Sequence, residues 1–111
     1  MNGPKPRYAI EKELAFFRGD DWSQRFTLGR NGVSFNLSGC EVECNMTQGS
    51  KVIEVNLDTS ELASGAFTLS IPRSITDEML GQYNYDVAIT DTLDKRLTRV
   101  FGTVTVVADV R

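Results

Sequence analysis

A chain of 111 residues, 41% hydrophobic and 24% charged, has the size and composition of one water-soluble globular domain with its own core. Twelve Lys and Arg against fifteen Asp and Glu leave a net charge of −3 without like-charge runs, so no basic stripe points to nucleic acid. No apolar run approaches the ~20 residues of a membrane helix. The opening MNGPKPRYAIEKEL also lacks the apolar block of a signal peptide, so neither a membrane anchor nor that secretion route is expected.

In chain order, residues 1–10 carry Gly3, Pro4 and Pro6 and read as a flexible N-terminal arm, with one domain over 11–111. KELAFF (Lys12–Phe17) is a short apolar strand that stops at Gly19. WSQRFTL (Trp22–Leu28) alternates, with Trp22, Phe26 and Leu28 on one face. Gly29–Gly32 supplies a turn, because Asn-Gly accepts positive φ, and VSFNL (Val33–Leu37) alternates again, placing Phe35 in the core.

CEVECNMT puts Cys40, Val42, Cys44 and Met46 on one face, and turns through Gln48-Gly49-Ser50 into KVIEVNL (Lys51–Leu57) as a hairpin. After a polar connection, AFTLSIP directs Phe67, Leu69 and Ile71 inward. SITDEML (Ser74–Leu80) breaks the period of two: Ile75, Met79 and Leu80 have helical spacing, Thr76-Asp77-Glu78 suits a helix start, and Gly81 ends it. QYNYDVAITD gives the clearest alternation, with Tyr83, Tyr85, Val87 and Ile89 inward. Asp91–Lys95 is a hairpin turn, and the last strand, Arg96–Val110, contains Gly102, which marks a bulge or a close backbone approach.

This pattern predicts an all-β fold: an immunoglobulin-like antiparallel β-sandwich of about 7–9 strands with one short helical turn near residues 74–80. The expected core includes Trp22, Phe26, Phe35, Phe67, Tyr83 and Tyr85. The expected structural turns lie at Gly19, Asp20 and Gly81.

Chemistry is sparse. The chain has no histidine, which removes the commonest general base and any Ser–His–Asp or Cys–His arrangement. The acidic pairs Asp20–Asp21 and Asp77–Glu78 read as solvated loop residues. Asp91, Thr92 and Asp94 offer too few oxygens for calcium and read as a turn. Cys40 and Cys44, four apart in a strand, lie ~13 Å from one another, beyond a disulfide's reach, so they read as free packed thiols. No catalytic residue, cofactor or metal is therefore expected. The sequons at Asn36 and Asn45 read as chance matches.

Arg18-Gly19-Asp20 is the letter sequence of a cell-adhesion tripeptide, but it is squeezed between two apolar strands. It reads instead as strand-break geometry: Gly19 relieves the backbone, the Asp20 carboxylate caps the bend, and Arg18 guards a strand edge.

Four motifs together resemble a known family. A glycine-aspartate turn (Arg18-Gly19-Asp20) precedes an apolar strand, and Gly32 to Gly39 leads into an alternating one. A short helix is followed by G-x-Y-x-Y-D (Gly81, Tyr83, Tyr85, Asp86), and the last strand carries Gly102, Val106, Asp109 and Val110. This is similar to the small immunoglobulin-like β-sandwich domain of tailed-phage and prophage structural proteins, best known from the N-terminal domain of the phage baseplate upper protein. The resemblance covers about residues 11–111, and its most specific piece is the helix with G-x-Y-x-Y-D.

It implies a non-enzymatic virion component of the tail, baseplate, fibre or capsid surface, made in the bacterial host cytoplasm. Other virion proteins and further copies of itself are the implied partners, with no nucleic acid, membrane or small-molecule substrate. In many members the domain begins a longer chain, so its position in the virion stays open. The alternative is a surface adhesion or carbohydrate-binding Ig-like module, which needs exposed aromatics or a loop-borne motif.

Overall fold

The computed structural model describes residues 9–108. The predicted arm lies outside this range except for its last two residues, and Ile10 already belongs to a strand. Asp109 and Val110 also lie outside it.

The order is β1 (Ile10–Glu11), β2 (Leu14–Phe17), β3 (Trp22–Thr27), β4 (Gly29–Arg30), β5 (Val33–Ser34), β6 (Glu41–Gln48), β7 (Lys51–Ile53) and β8 (Asn56–Asp58). A 3-10 turn at Leu62–Ser64 follows, then β9 (Ala66–Ile71), the helical turn α1 (Arg73–Thr76), β10 (Gly81–Thr90) and β11 (Arg96–Val107). The fold is all-β with one short helix. β1, β11, β10, β6 and β7 run side by side in the larger sheet, with β2 also against β11; β3, β9 and β8 form the smaller one.

Alternation decides which faces are covered. Phe67, Leu69 and Ile71 of β9 and Tyr83, Tyr85, Val87 and Ile89 of β10 are all buried, in one cluster with Leu14, Phe26, Met46, Val100 and Val104. Both sheets contribute to that cluster, which gives the molecule a sandwich-like core. Phe26 stacks on Phe67 across the β3–β9 pair, with ring centroids 5.5 Å apart. Burying side chains of this kind stabilises the fold by about 1.5–3 kcal/mol each.

Several expectations need correction. The strands number eleven rather than 7–9 among the described residues. The predicted strand Lys12–Phe17 shortens to β2, Leu14–Phe17, behind a separate β1, and Lys51–Leu57 is two strands rather than one: β7 pairs with β6, whereas β8 pairs with β9 in the other sheet. Glu54 and Val55 carry the chain between sheets, and continuous alternation cannot report such a crossing. The sheets are also not wholly antiparallel, because β1 and β2 both run parallel to β11.

The predicted strand Val33–Leu37 shrinks to a two-residue hairpin arm paired with β4, turning on Asn31 and Gly32, both at positive φ. Phe35 is consequently only half-buried, under the Arg99 guanidinium, 5.8 Å from its ring centroid. Finally, the helical turn is Arg73–Thr76, so Thr76-Asp77 ends it instead of starting it. Turn bonds from Glu78 N to Ile75 O and Met79 N to Thr76 O continue it to the buried Met79, while Leu80 is half-exposed.

Candidate functional site

Of the residues singled out in the sequence, Gly19, Asp20, Gly81 and Tyr83 lie around the corner between β9 and β10, whereas Tyr85 and Phe35 lie elsewhere. Phe17 to Asp20 form a four-residue turn closed by Asp20 N–H donating to Phe17 O at 3.2 Å. Gly19, in its third place, has φ +89°, which L side chains rarely adopt. Arg18 N–H donates to Val107 O at 2.8 Å, which ties the turn to the end of β11.

The next two residues reach across to α1. The Thr76 hydroxyl, fully buried, donates to Asp20 O at 2.7 Å. The Asp21 carboxylate accepts from Arg73 N–H at 2.8 Å and so caps the helical turn, whose own preceding residue, Pro72, supplies no side-chain cap. The expectation that Asp20 caps with its carboxylate is thus corrected: Asp20 acts through its backbone, and the capping carboxylate is Asp21. A local reading missed this because donor and acceptor are 52 residues apart in the chain.

The other side of the corner is tied by side chains of neighbouring elements. Gln48 Nε2 donates to Leu80 O and Gln82 O at 3.0 and 3.2 Å. Lys51 Nζ donates to Glu78 O at 3.0 Å, and Leu80 N–H donates to the Tyr83 hydroxyl at 3.3 Å. Gly81, at φ +91°, opens β10 between these ties.

Tyr83 and Tyr85 are both buried, and each hydroxyl has a backbone partner: Tyr85 donates to Lys12 O at 2.7 Å. Burial, with smaller contributions from Cys44 and Glu13, pushes the Tyr85 phenol well above its ordinary range. Gly102 lies against the same carbonyl, since a Cβ built there would stand 2.3 Å from Lys12 O. The bulge in β11 falls elsewhere: Val87 pairs with Val100 and Ala88 with Thr98, which leaves Arg99 as the extra residue.

Trp22 is half-buried and stacks on Phe16 at 5.2 Å, so its ring is engaged in packing. Cys40 and Cys44 are free. Burial, and then the nearby Asp86 charge, raise the Cys44 thiol to about 12, which keeps it protonated and unreactive at neutral pH. In the β10–β11 turn, the Asp91 carboxylate accepts from Leu93 N–H and Lys95 N–H at 2.8 and 2.9 Å. Among the described residues no group of three or more Cys, Asp or Glu side chains is placed to hold a metal ion.

What remains at the surface is apolar area. Phe17 pairs with Val107 at the end of the larger sheet, and Leu80 precedes Gly81, the partner of Val106. Phe17 and Val107, paired between β2 and β11, are each about half-exposed, as is Leu80 just before β10. Val33, Val52 and Leu93 are exposed singly on hairpins. The arrangement offers packing surface and strand edges. No protein-family model and no curated protein matches this chain.

Proposed function

We propose that this chain is a non-enzymatic structural component of a bacteriophage virion, an Ig-like β-sandwich that works by protein–protein assembly in the tail, baseplate, fibre or capsid surface. The observation that carries the reading is the β9–β10 corner. There the helical turn is tied to the Gly19 turn and to Asp21, and Tyr83 of G-x-Y-x-Y-D, the most specific part of the family resemblance, accepts from Leu80 N–H on the other side of the corner.

The strand order supports the finer fold assignment. β3, β9 and β8 against β11, β10, β6 and β7 correspond to strands B, E, D and G, F, C, C′ of an immunoglobulin domain. Tyr83, two residues into the F-equivalent strand with its hydroxyl on the upstream Leu80 backbone, matches the position of a tyrosine corner. The half-exposed Phe17–Val107 pair, with half-exposed Leu80 next to the Gly81–Val106 pair, supports assembly, because exposed apolar groups mark contacts with other proteins.

Partners on this reading are other virion proteins and further copies of the chain. Light scattering on the purified protein over a rising concentration series tests it. A mass at a fixed multiple of the monomer, or a stable complex with a particle protein encoded beside it, is expected. A strictly monomeric protein that binds no particle component contradicts it.

A further inference from the structure

An immunoglobulin-type sandwich often covers the outer edge of its B strand with its first strand. Here both parts of the first strand, β1 and β2, lie on β11 in the larger sheet, and among the described residues β3 is hydrogen-bonded to a neighbouring strand only through β9. The direction of β3's backbone groups follows from one bond. Leu28 N–H donates to Gly65 O at 2.9 Å, directly beyond the Thr27–Ala66 pair. In an antiparallel ladder the bonded positions recur every second residue. Trp22, Gln24 and Phe26 therefore share the bonded parity with Leu28, and Ser23, Arg25 and Thr27 turn their N–H and C=O groups to the open side.

The Gln24 amide already folds onto Arg25 O at 3.3 Å, satisfying one of these outward carbonyls from within the chain. Beside this edge runs a groove. One crevice of about 230 Å³ lies between β3 and the segment from Ile10 to Lys12, floored by Phe26 and Val100. A second of about 190 Å³ continues it toward β4 and Phe35, and the two share Ile10 and Leu28. Together they present an unpaired strand edge next to an apolar trough.

The charge of this groove is one-sided. Among the described residues its linings contain Lys12, Arg25 and Arg99 beside Arg30 and no carboxylate, in a chain whose net charge is −3, and Arg30 is itself engaged within the molecule. Arg25 is in part neutralised by Glu61 at 3.1 Å. The same charge decides between occupants. A second copy meeting edge to edge about a two-fold axis centred on β3 would bring Arg25 toward its own counterpart, and like charges opposite one another destabilise a strand pair.

We propose that the β3 edge and its groove receive an extended segment of another protein by strand addition, a segment that alternates large apolar side chains with acidic ones. Its backbone pairs with Ser23, Arg25 and Thr27, its apolar side chains enter the trough over Phe26 and Leu28, and its carboxylates meet Lys12 and the Arg99 rim. This rests on the assembly reading for the kind of partner, and it adds where that partner sits and what chemistry it carries.

The test uses a synthetic peptide of about ten residues, alternating glutamate with valine and phenylalanine, roughly the length needed to run past a six-residue edge. A counterpart has lysine for glutamate, and another has proline at alternate positions. Amide hydrogen exchange of the whole protein reads the site. The acidic peptide is expected to slow exchange at Ser23, Arg25 and Thr27 by ~10-fold or more and to leave β9 unchanged. The lysine and proline peptides should have little effect, and Lys12→Glu should weaken the acidic peptide several-fold without moving the melting temperature.

Unchanged exchange at the three amides with the acidic peptide overturns the proposal, as does equal protection by the lysine peptide. Protection that rises with protein concentration in the absence of peptide also overturns it, in favour of a second copy. A protein that assembles through another surface would pass the light-scattering test and fail this one, so the two readings fail separately.

Discussion

The phenol of Tyr85 donates a 2.7 Å hydrogen bond to the main-chain oxygen of Lys12, at the break between β1 and β2. At this break the first strand leaves its ladder with β11 for two residues, since Glu11 pairs with Phe101 and Leu14 with Val104. The Lys12 carbonyl turns inward over Gly102 and is met by the hydroxyl. Tyr85→Phe leaves this carbonyl unsatisfied and should lower stability by about 1–3 kcal/mol. Urea unfolding measures it, and a midpoint equal to that of the parent protein would refute the role given to the bond.

The same contact makes Gly102 sensitive to a single methyl group. The Cβ of Gly102→Ala would stand 2.3 Å from Lys12 O and 3.3 Å from the Tyr85 ring. Backbone has to move, so a loss of about 1–3 kcal/mol is expected, as for other overpacked sites. Thermal unfolding of Gly102→Ala beside Tyr85→Phe and the double variant gives the coupling. Strictly additive losses would show that the two residues do not share one contact.

At the corner, Asp21→Ala removes the carboxylate that caps Arg73 N–H, and Thr76→Val removes the buried hydroxyl on Asp20 O. Each should cost about 0.5–2 kcal/mol. Asp20→Asn keeps the backbone groups that hold the turn and should be near neutral. Reversal of this order, with Asp20 the sensitive position in denaturant melts, would restore the reading in which the Asp20 carboxylate caps the bend.

Much of this architecture was legible in period-two alternation. It identified the inward faces of β6, β9 and β10, because one covered face forces that pattern, while Gly49-Ser50 marked the turn that joins β6 to β7. What alternation could not show are relations set by distant contacts. Asp21 caps a helical turn 52 residues away, and Tyr85 meets a carbonyl 73 residues away. The passage of the chain from β7 to β8 between sheets leaves the alternation of Ile53, Val55 and Leu57 intact, so the sequence reads as one strand. Phe35 illustrates the reverse error, a large apolar residue whose short hairpin arm holds it at the rim.

The Cys44 thiol gives a pH dependence with a definite sign. Its ordinary value is near 9 and the fold raises it to about 12, by burial first and the Asp86 charge second. Below pH 9 the thiol is protonated in both states and the full stability is present. Above it the unfolded chain loses the proton first, so stability should fall between about pH 9 and about pH 12. Urea unfolding at pH 7, 9 and 10 tests this. Cys44→Ala should flatten part of the decline, and an unchanged slope in that variant would assign the loss to other groups.

Gly19→Val addresses the adhesive tripeptide. Gly19 sits at φ +89° with the Asp77 carboxylate 3.0 Å from where a Cβ would be, so a β-branched residue should cost about 1–3 kcal/mol. Near-parental melting would remove the strand-break explanation of the Arg18-Gly19-Asp20 turn.

The central claim is that the chain is a building block of a virion. Mass spectrometry of phage particles purified from cells in which the chain is encoded tests this most directly. The account predicts the chain in stoichiometric amounts beside the other particle proteins, retained through density-gradient purification. Intact, infectious particles that lack the chain would contradict it.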